Sequence, residues 1–146
     1  MYEYYTINHI ALITGLTSRT IRNHMKQGLL EGEMINGVWH FTAEQVCAFM
    51  SHPAVAPSIR ARRNALIDDF LSDEKKKSSE MCSMFDVPAS LHEANILSEF
   101  FCHAINSDYP EEVQFAFSFN GTHARVILKG SVNTVLDLLN RYHRTI

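Results

Sequence analysis

No stretch of this chain approaches the ~20 consecutive apolar residues that cross a bilayer, which excludes a helical membrane span. The opening MYEYYT has neither the basic start nor the apolar block of a signal peptide, so the expected location is cytoplasmic, with no membrane partner. Cysteine is scarce as well. Cys47, Cys82 and Cys102 are odd in number, widely spaced and without any Cys-x-x-Cys, which argues against a disulfide framework or a zinc ribbon and for reduced packing thiols. Phosphate loops, Gly-x-Ser-x-Gly, His-Glu-x-x-His and telling carboxylate pairs are all missing, so neither enzyme nor cofactor is expected.

What is present is a soluble composition. The 146 residues are 46% hydrophobic, enough for one ordinary core or two small ones. The net charge of −3 is unevenly spread. Residues 1–65 carry six basic groups against four acidic ones, and residues 66–146 carry seven against twelve. A mildly basic N-terminal part thus precedes an acidic remainder, and a phosphate backbone responds to local charge more than to the total.

The stretch from Thr6 to Met50 organises the chain. Thr6 is a good N-cap for a short helix carrying Ile7, Ile10, Ala11 and Ile13, which Gly15 ends in a left-handed conformation. Leu16 fills the turn, and Thr17 or Ser18 caps a second helix. There Ile21 and Met25 lie on one face with His24 beside them, leaving Arg19, Arg22, Asn23 and Lys26 on the other. Gly28 stops it. Asn36-Gly37, flanked by Met34, Ile35, Val38, Trp39 and Phe41, suits a two-residue type I′ hairpin, whose central positions both need φ > 0. Thr42 and Gln45 form a capping box opening a third helix with Val46, Phe49 and Met50 inward, and Pro53 and Pro57 close the domain.

GLTSRTIRNHMKQGLL resembles the helix-turn-helix of the MerR family of bacterial transcription regulators, and NGVWHFTAEQVCAFM is similar to the related excisionase-type DNA-binding domain. The resemblance covers about residues 5–51 and implies a winged helix-turn-helix that reads double-stranded DNA. Two departures stand out. Asn23 and His24 occupy the place of an aromatic pair in the recognition helix, and Trp39 stands where the MerR wing has Arg, so the wing is expected to grip phosphate less strongly. A major-groove helix needs arginines for guanine and short polar groups for other base edges. Thr17, Ser18, Arg19, Thr20, Arg22 and Asn23 fit that requirement. Lys26 and His40 are candidate phosphate contacts, and Trp39 belongs to the wing, where packing against the helices is its expected role.

Residues 58–71 have helical spacing with Arg60, Arg62 and Arg63 at the start, near enough to the reader for flanking phosphates. In the resemblance, a helix here pairs with its counterpart in a second subunit. SDEKKKSSE then reads as a mobile linker or exposed helical turn. Met81, Met84 and Phe85 form a small apolar patch read as an extension of the pairing helix. From Ser90 onward the pattern changes. A helix carries Leu91, Ala94, Leu97, Phe101, Ala104 and Ile105. A strand alternates Val113, Phe115, Phe117 and Phe119 with Gln114, Ala116 and Ser118; a second type I′ turn is expected at Asn120-Gly121; and a return strand precedes a helix with Val132, Val135, Leu136, Leu139 and Tyr142.

The expected fold class is α+β: an N-terminal winged helix-turn-helix (1–57), a connecting and dimerisation helix with linker (58–87), and a C-terminal α-β-β-α unit with an antiparallel hairpin (88–146). The small side chains of Gln114, Ala116 and Ser118 suit close packing with a second subunit or a shallow site for a small-molecule effector. Cys102 and His103, with His92 and Cys82 elsewhere, make no convincing metal site, because adjacent helical residues point about 100° apart. The functional expectation is a sequence-specific DNA-binding transcriptional regulator of the MerR-like type, acting as a homodimer. An excisionase-like DNA-bending protein and a protein-interaction or sensor module that no longer reads DNA are the alternatives.

Overall fold

Hydroxyl side chains set where the first helices begin. In the computed structural model, which describes residues 4–73, 76 and 78–145, Thr6 Oγ1 accepts from His9 N at 3.3 Å while His9 Nδ1 accepts from Thr6 N at 3.2 Å, opening α1 (Ile7–Thr14) with a reciprocal cap. Gly15, at φ 76°, ends it. Thr17, rather than Ser18, is the N-cap of α2 (Ser18–Lys26), accepting from Thr20 N at 3.1 Å. Strands β1 (Glu33–Ile35) and β2 (Val38–His40) pair in antiparallel register, Ile35 opposite Val38, through a turn with Asn36 at φ 51° and Gly37 at φ 80°. Both central residues are left-handed, as a type I′ turn demands. Thr42 and Gln45 cap α3 (Ala43–Ser51) as the sequence predicts.

The next helix, α4 (Ala56–Ser72), starts earlier than expected. Pro57, read from the sequence as closing the domain, sits in the first turn of α4, where its fixed φ fits and its missing N–H is no loss. Among the described residues none of α4 is fully buried. The chain divides into two compact units, residues 1–64 and 65–146, so that of residues 58–87, which the sequence sets apart as a connector, 58–64 fall within the first and 65–87 within the second. Of the polar stretch SDEKKKSSE, residues 74, 75 and 77 lie outside the described residues, as do residues 1–3 of the N-terminal reading.

The first unit packs Ile10, Ile13, Ile21, Phe41, Phe49 and Val55 into a core from which solvent is almost entirely excluded. The second holds the main correction. Residues 81–85 do not extend a pairing helix. They lie in strand β3 (Glu80–Pro88), which pairs antiparallel with the last strand from Glu80 opposite Ser131 to Pro88 opposite His123. With α5 (Leu91–Asp108), β4 (Gln114–Phe119), β5 (His123–Ser131) and α6 (Val132–Thr145), the unit reads β-α-β-β-α, and its sheet is three-stranded in the order β3-β5-β4. Two strands alone are marginal, and the third supplies what the α-β-β-α expectation lacked. The whole chain is α+β, with six helices and two small antiparallel sheets among the described residues.

Helices α5 and α6 cover one face of this sheet. Phe101 lies 5.8 Å from Phe115 and 6.3 Å from Phe85, and Tyr142 stacks on Phe85 at 5.6 Å, ring centre to ring centre. On α6 the buried side chains are Val135 and Leu138; Leu136, expected on the core face, is 42% exposed. On the opposite face Ile127 is fully buried, and Lys129 Nζ donates to the Leu66 carbonyl at 3.4 Å, which brings the end of α4 against that side. There too Arg125 grips Asp86 with two hydrogen bonds of 2.7 and 2.9 Å.

The turn between β4 and β5 is also not the type I′ hairpin expected. Phe119 pairs with Ala124, so the loop is centred on Gly121-Thr122, and of the loop residues only Gly121 has positive φ, 98°. The Asn120 side chain explains the offset. Its Oδ1 accepts from Thr122 N at 3.0 Å and His123 N at 2.8 Å, standing in for a backbone carbonyl and relieving Asn120 of a left-handed conformation.

Candidate nucleic-acid interface

The polar face of α2 follows from its spacing. In SRTIRNHMK only Ile21 is fully buried, with Met25 and His24 half-buried beside it. The 3.6-residue period then turns Ser18, Arg19, Arg22, Asn23 and Lys26 outward together, and all five are exposed. The helix has three cations and no acid, and among the described residues Arg19, Arg22 and Lys26 form no ion pair. Thr17 and Thr20 meet at its start, Thr17 Oγ1 donating to Thr20 Oγ1 at 2.9 Å, so their hydroxyls are partly spent on the cap.

That orientation is locked from behind. Thr14 Oγ1 donates to the Ile10 carbonyl at 2.7 Å and accepts from Leu16 N at 3.1 Å, fixing the three-residue connection between α1 and α2. His24 faces the core, its ring edge-on to Phe49 at 5.5 Å, with a buried Nδ1 that has no hydrogen-bond partner. The sequence placed His24 only beside the apolar face, whereas its ring is half-buried against Phe49.

The β1–β2 hairpin stands next to α2. Trp39 is half-buried, its ring stacked at 6.4 Å on Phe41, and His40 is sandwiched flat against Tyr4 at 3.7 Å with only 5° between the planes. Glu33 stands opposite His40, and Met34 opposite Trp39. Met34 (51%), Ile35 (39%) and Val38 (46%) are exposed, so the tip of this hairpin is apolar, with Glu31 and Glu33 at its base.

Between α2, the hairpin and α3 runs an open groove of about 590 Å³, walled by Arg22, Met25 and Lys26 on one side and by Trp39 and Gln45 on the other, with Glu31 as its acidic lining residue. Its chemistry is two exposed cations beside an aromatic edge and an amide. Met25 and Gln45 were not singled out as site residues by sequence reasoning, because one reads as core and the other as a cap.

The arginines of α4 do not act as one cluster. Arg62 Nη1 donates to the Gly15 carbonyl at 3.0 Å, so this guanidinium ties α4 to the end of α1. Arg60 is exposed and Arg63 half-buried. Helical geometry separates Arg62 from Arg63 by about 100°, and only Arg60 and Arg63 share a side.

Elsewhere the described residues contain no gathering of three or more His, Cys, Asp or Glu that would hold a metal ion, and no helix long and apolar enough to cross a membrane. Cys102 is sealed in the second unit, where burial pushes its thiol up to about 12. No family model matches this chain, and neither does any curated protein or solved structure.

Proposed function

We propose that this chain is a DNA-binding transcriptional regulator in which residues 1–57 form a winged helix-turn-helix of the MerR-like kind, working as a dimer on a short pseudo-palindrome. The observation that carries the reading is the outward face of α2, where Arg19, Arg22, Asn23 and Lys26 are exposed together, free of acidic partners, on a helix whose other side is anchored in a core. Arg19, Arg22 and Asn23 are the groups that read guanine and adenine edges in the major groove. The groove beside Trp39, with Arg22 and Lys26 on its wall, suits a passing phosphate backbone. A single reader of this size buries too little for tight specific binding, so two subunits share the work.

The test is fluorescence-anisotropy titration of random-sequence duplex DNA over a salt series. Wild type is expected to bind with a steep negative salt slope, and Arg22→Ala to bind more weakly with a slope shallower by about one unit. Absence of binding by wild type at low salt would sink the proposal.

A second reading rests on the hairpin. Its tip of Met34, Ile35 and Val38, with Glu31 and Glu33 close by, offers apolar contact and repels phosphate, which favours a protein-contact module whose helix-turn-helix is a scaffold. DNA binding indifferent to removal of both Arg19 and Arg22 would select it.

A further inference from the structure

The three-stranded sheet of residues 80–131 has two edges, and they are not alike. Strand β5 is paired on both sides, which leaves β3 and β4 each with an outward row of backbone N–H and C=O groups. The β3 edge carries the usual protections. It has Glu80 at one end, Asp86 held by Arg125, and Pro88 at the other end. The β4 edge has none. From Val113 to Asn120 the chain reads VQFAFSFN, without charge, proline or glycine, and its pairing with β5 runs unbroken from Gln114 opposite Lys129 to Phe119 opposite Ala124. An uncharged, unbulged edge is what monomeric proteins avoid.

We infer that β4 pairs antiparallel with β4 of a second copy of this chain, joining two three-stranded sheets into one of six strands. The strand is self-complementary in the way such a two-fold axis requires. To keep helix-covered faces on the same side, even-numbered residues must oppose even and odd oppose odd, so the axis passes through Ala116 or Phe117. With Phe117 on the axis, Phe115 stands opposite Phe119 of the partner subunit, and the two aromatic rows merge into one band. Phe119, only half-buried in the single chain, gains cover there. On the other face Ala116 meets Ser118 of the partner subunit, and neither is large enough to bend the sheet away. Charge agrees. Glu111 and Glu112 precede the strand, and antiparallel pairing carries them away from their own counterparts towards the uncharged Asn120-Gly121-Thr122 turn and His123 of the second copy. The pairing gives the proposed dimer its interface; it rests on that reading for its purpose, while its geometry is independent of DNA.

The experiment is sedimentation of the full chain without DNA at micromolar concentration, so failure to bind DNA and failure to pair are separate results. Wild type is expected at twice its 16.7 kDa chain mass. Ser118→Lys, which sets like charges close across the axis, is expected to weaken the dimer at least tenfold, while Met84→Lys on the β3 edge leaves it intact. Each variant's circular dichroism and melting report whether it folds. Should Ser118→Lys not fold, the double variant Ala116→Cys with Ser118→Cys, whose new cysteines face each other directly across the axis, is oxidised under mild conditions, with wild type, which retains Cys47, Cys82 and Cys102, as control. A subunit-to-subunit cross-link specific to the new cysteines supports the pairing, and its absence overturns it. A wild-type monomer, or a dimer broken by Met84→Lys and untouched by Ser118→Lys, overturns it equally.

Discussion

Arg62 and Gly15, far apart in sequence, are joined by a hydrogen bond of 3.0 Å from guanidinium to carbonyl. Gly15 ends α1 in a left-handed conformation, and a helix end leaves carbonyls in need of donors. The bond satisfies one of them and fixes the direction in which the chain enters α2. Arg62→Ala is expected to cost about 1 kcal/mol of stability. DNA affinity should fall through loosening of α2, with the salt slope unchanged, which separates Arg62 from Arg22 in the same titration.

Gly32 is small for a steric reason. A Cβ there would stand 2.4 Å from Phe41 Cε1 and 2.9 Å from the His40 carbonyl oxygen, and the Phe41 ring is fully buried with no room to retreat. Gly32→Ala should therefore destabilise the first unit by roughly 2 kcal/mol. Gly28→Ala has no neighbouring atom within 4 Å and meets only the strain of its positive φ, about 1 kcal/mol. Urea melts of the two variants should rank them in that order.

Leu136 and Leu138 make a paired test of α6. Leu138 is fully buried, and its truncation to Ala should cost about 2–5 kcal/mol. Leu136→Ala, on the exposed side, should stay within about 0.5 kcal/mol of wild type. Equal losses would mean that α6 is rotated from the position described.

Stability should depend on pH at both ends of the scale. The Asp86 carboxyl is held below its ordinary value by its hydrogen bonds to Arg125, and Asp137 by the hydroxyl of Tyr109 at 2.5 Å, helped by Arg141. A carboxyl lowered by folding stabilises above its unfolded pKa of about 3.9 and loses that contribution as pH falls through the folded value. The difference in melting temperature between wild type and Asp86→Asn should thus be full at neutrality and vanish in acid. Cys102 has the opposite sense, its thiol raised to about 12 by burial. Its contribution is complete below the unfolded value of about 8.5 and declines as pH climbs towards 12, so Cys102→Ala should flatten the alkaline limb of a pH–stability curve.

The first unit was largely legible because its signals are local. Thr6, Gly15, Thr42 with Gln45, and Asn36-Gly37 each act over a few residues, and each sits where its chemistry directs. β3 was not, for physical reasons. Its helix-facing residues are Met81, Ser83, Phe85 and Val87, and a serine among them spoils the alternation that marks a strand. Its partner β5 lies beyond a whole helix and another strand, a relation no local pattern carries. The outward set of α2 was read directly from its period. The Arg62–Gly15 bond and the groove that brings Gln45 near Arg22 are products of tertiary packing alone.

The register of the larger sheet also sets an order of assembly. Glu80 pairs with Ser131, and β5 follows β3 only after α5 and β4, whereas the first unit is contained in residues 1–64. Such long-range pairing closes slowly. A nascent chain halted before residue 123 would present a finished N-terminal unit followed by β3 with no strand to receive it. Synthesis of α5 and β4 thus separates β3 from its partner strand in time, an interval in which its backbone groups have no ladder to join.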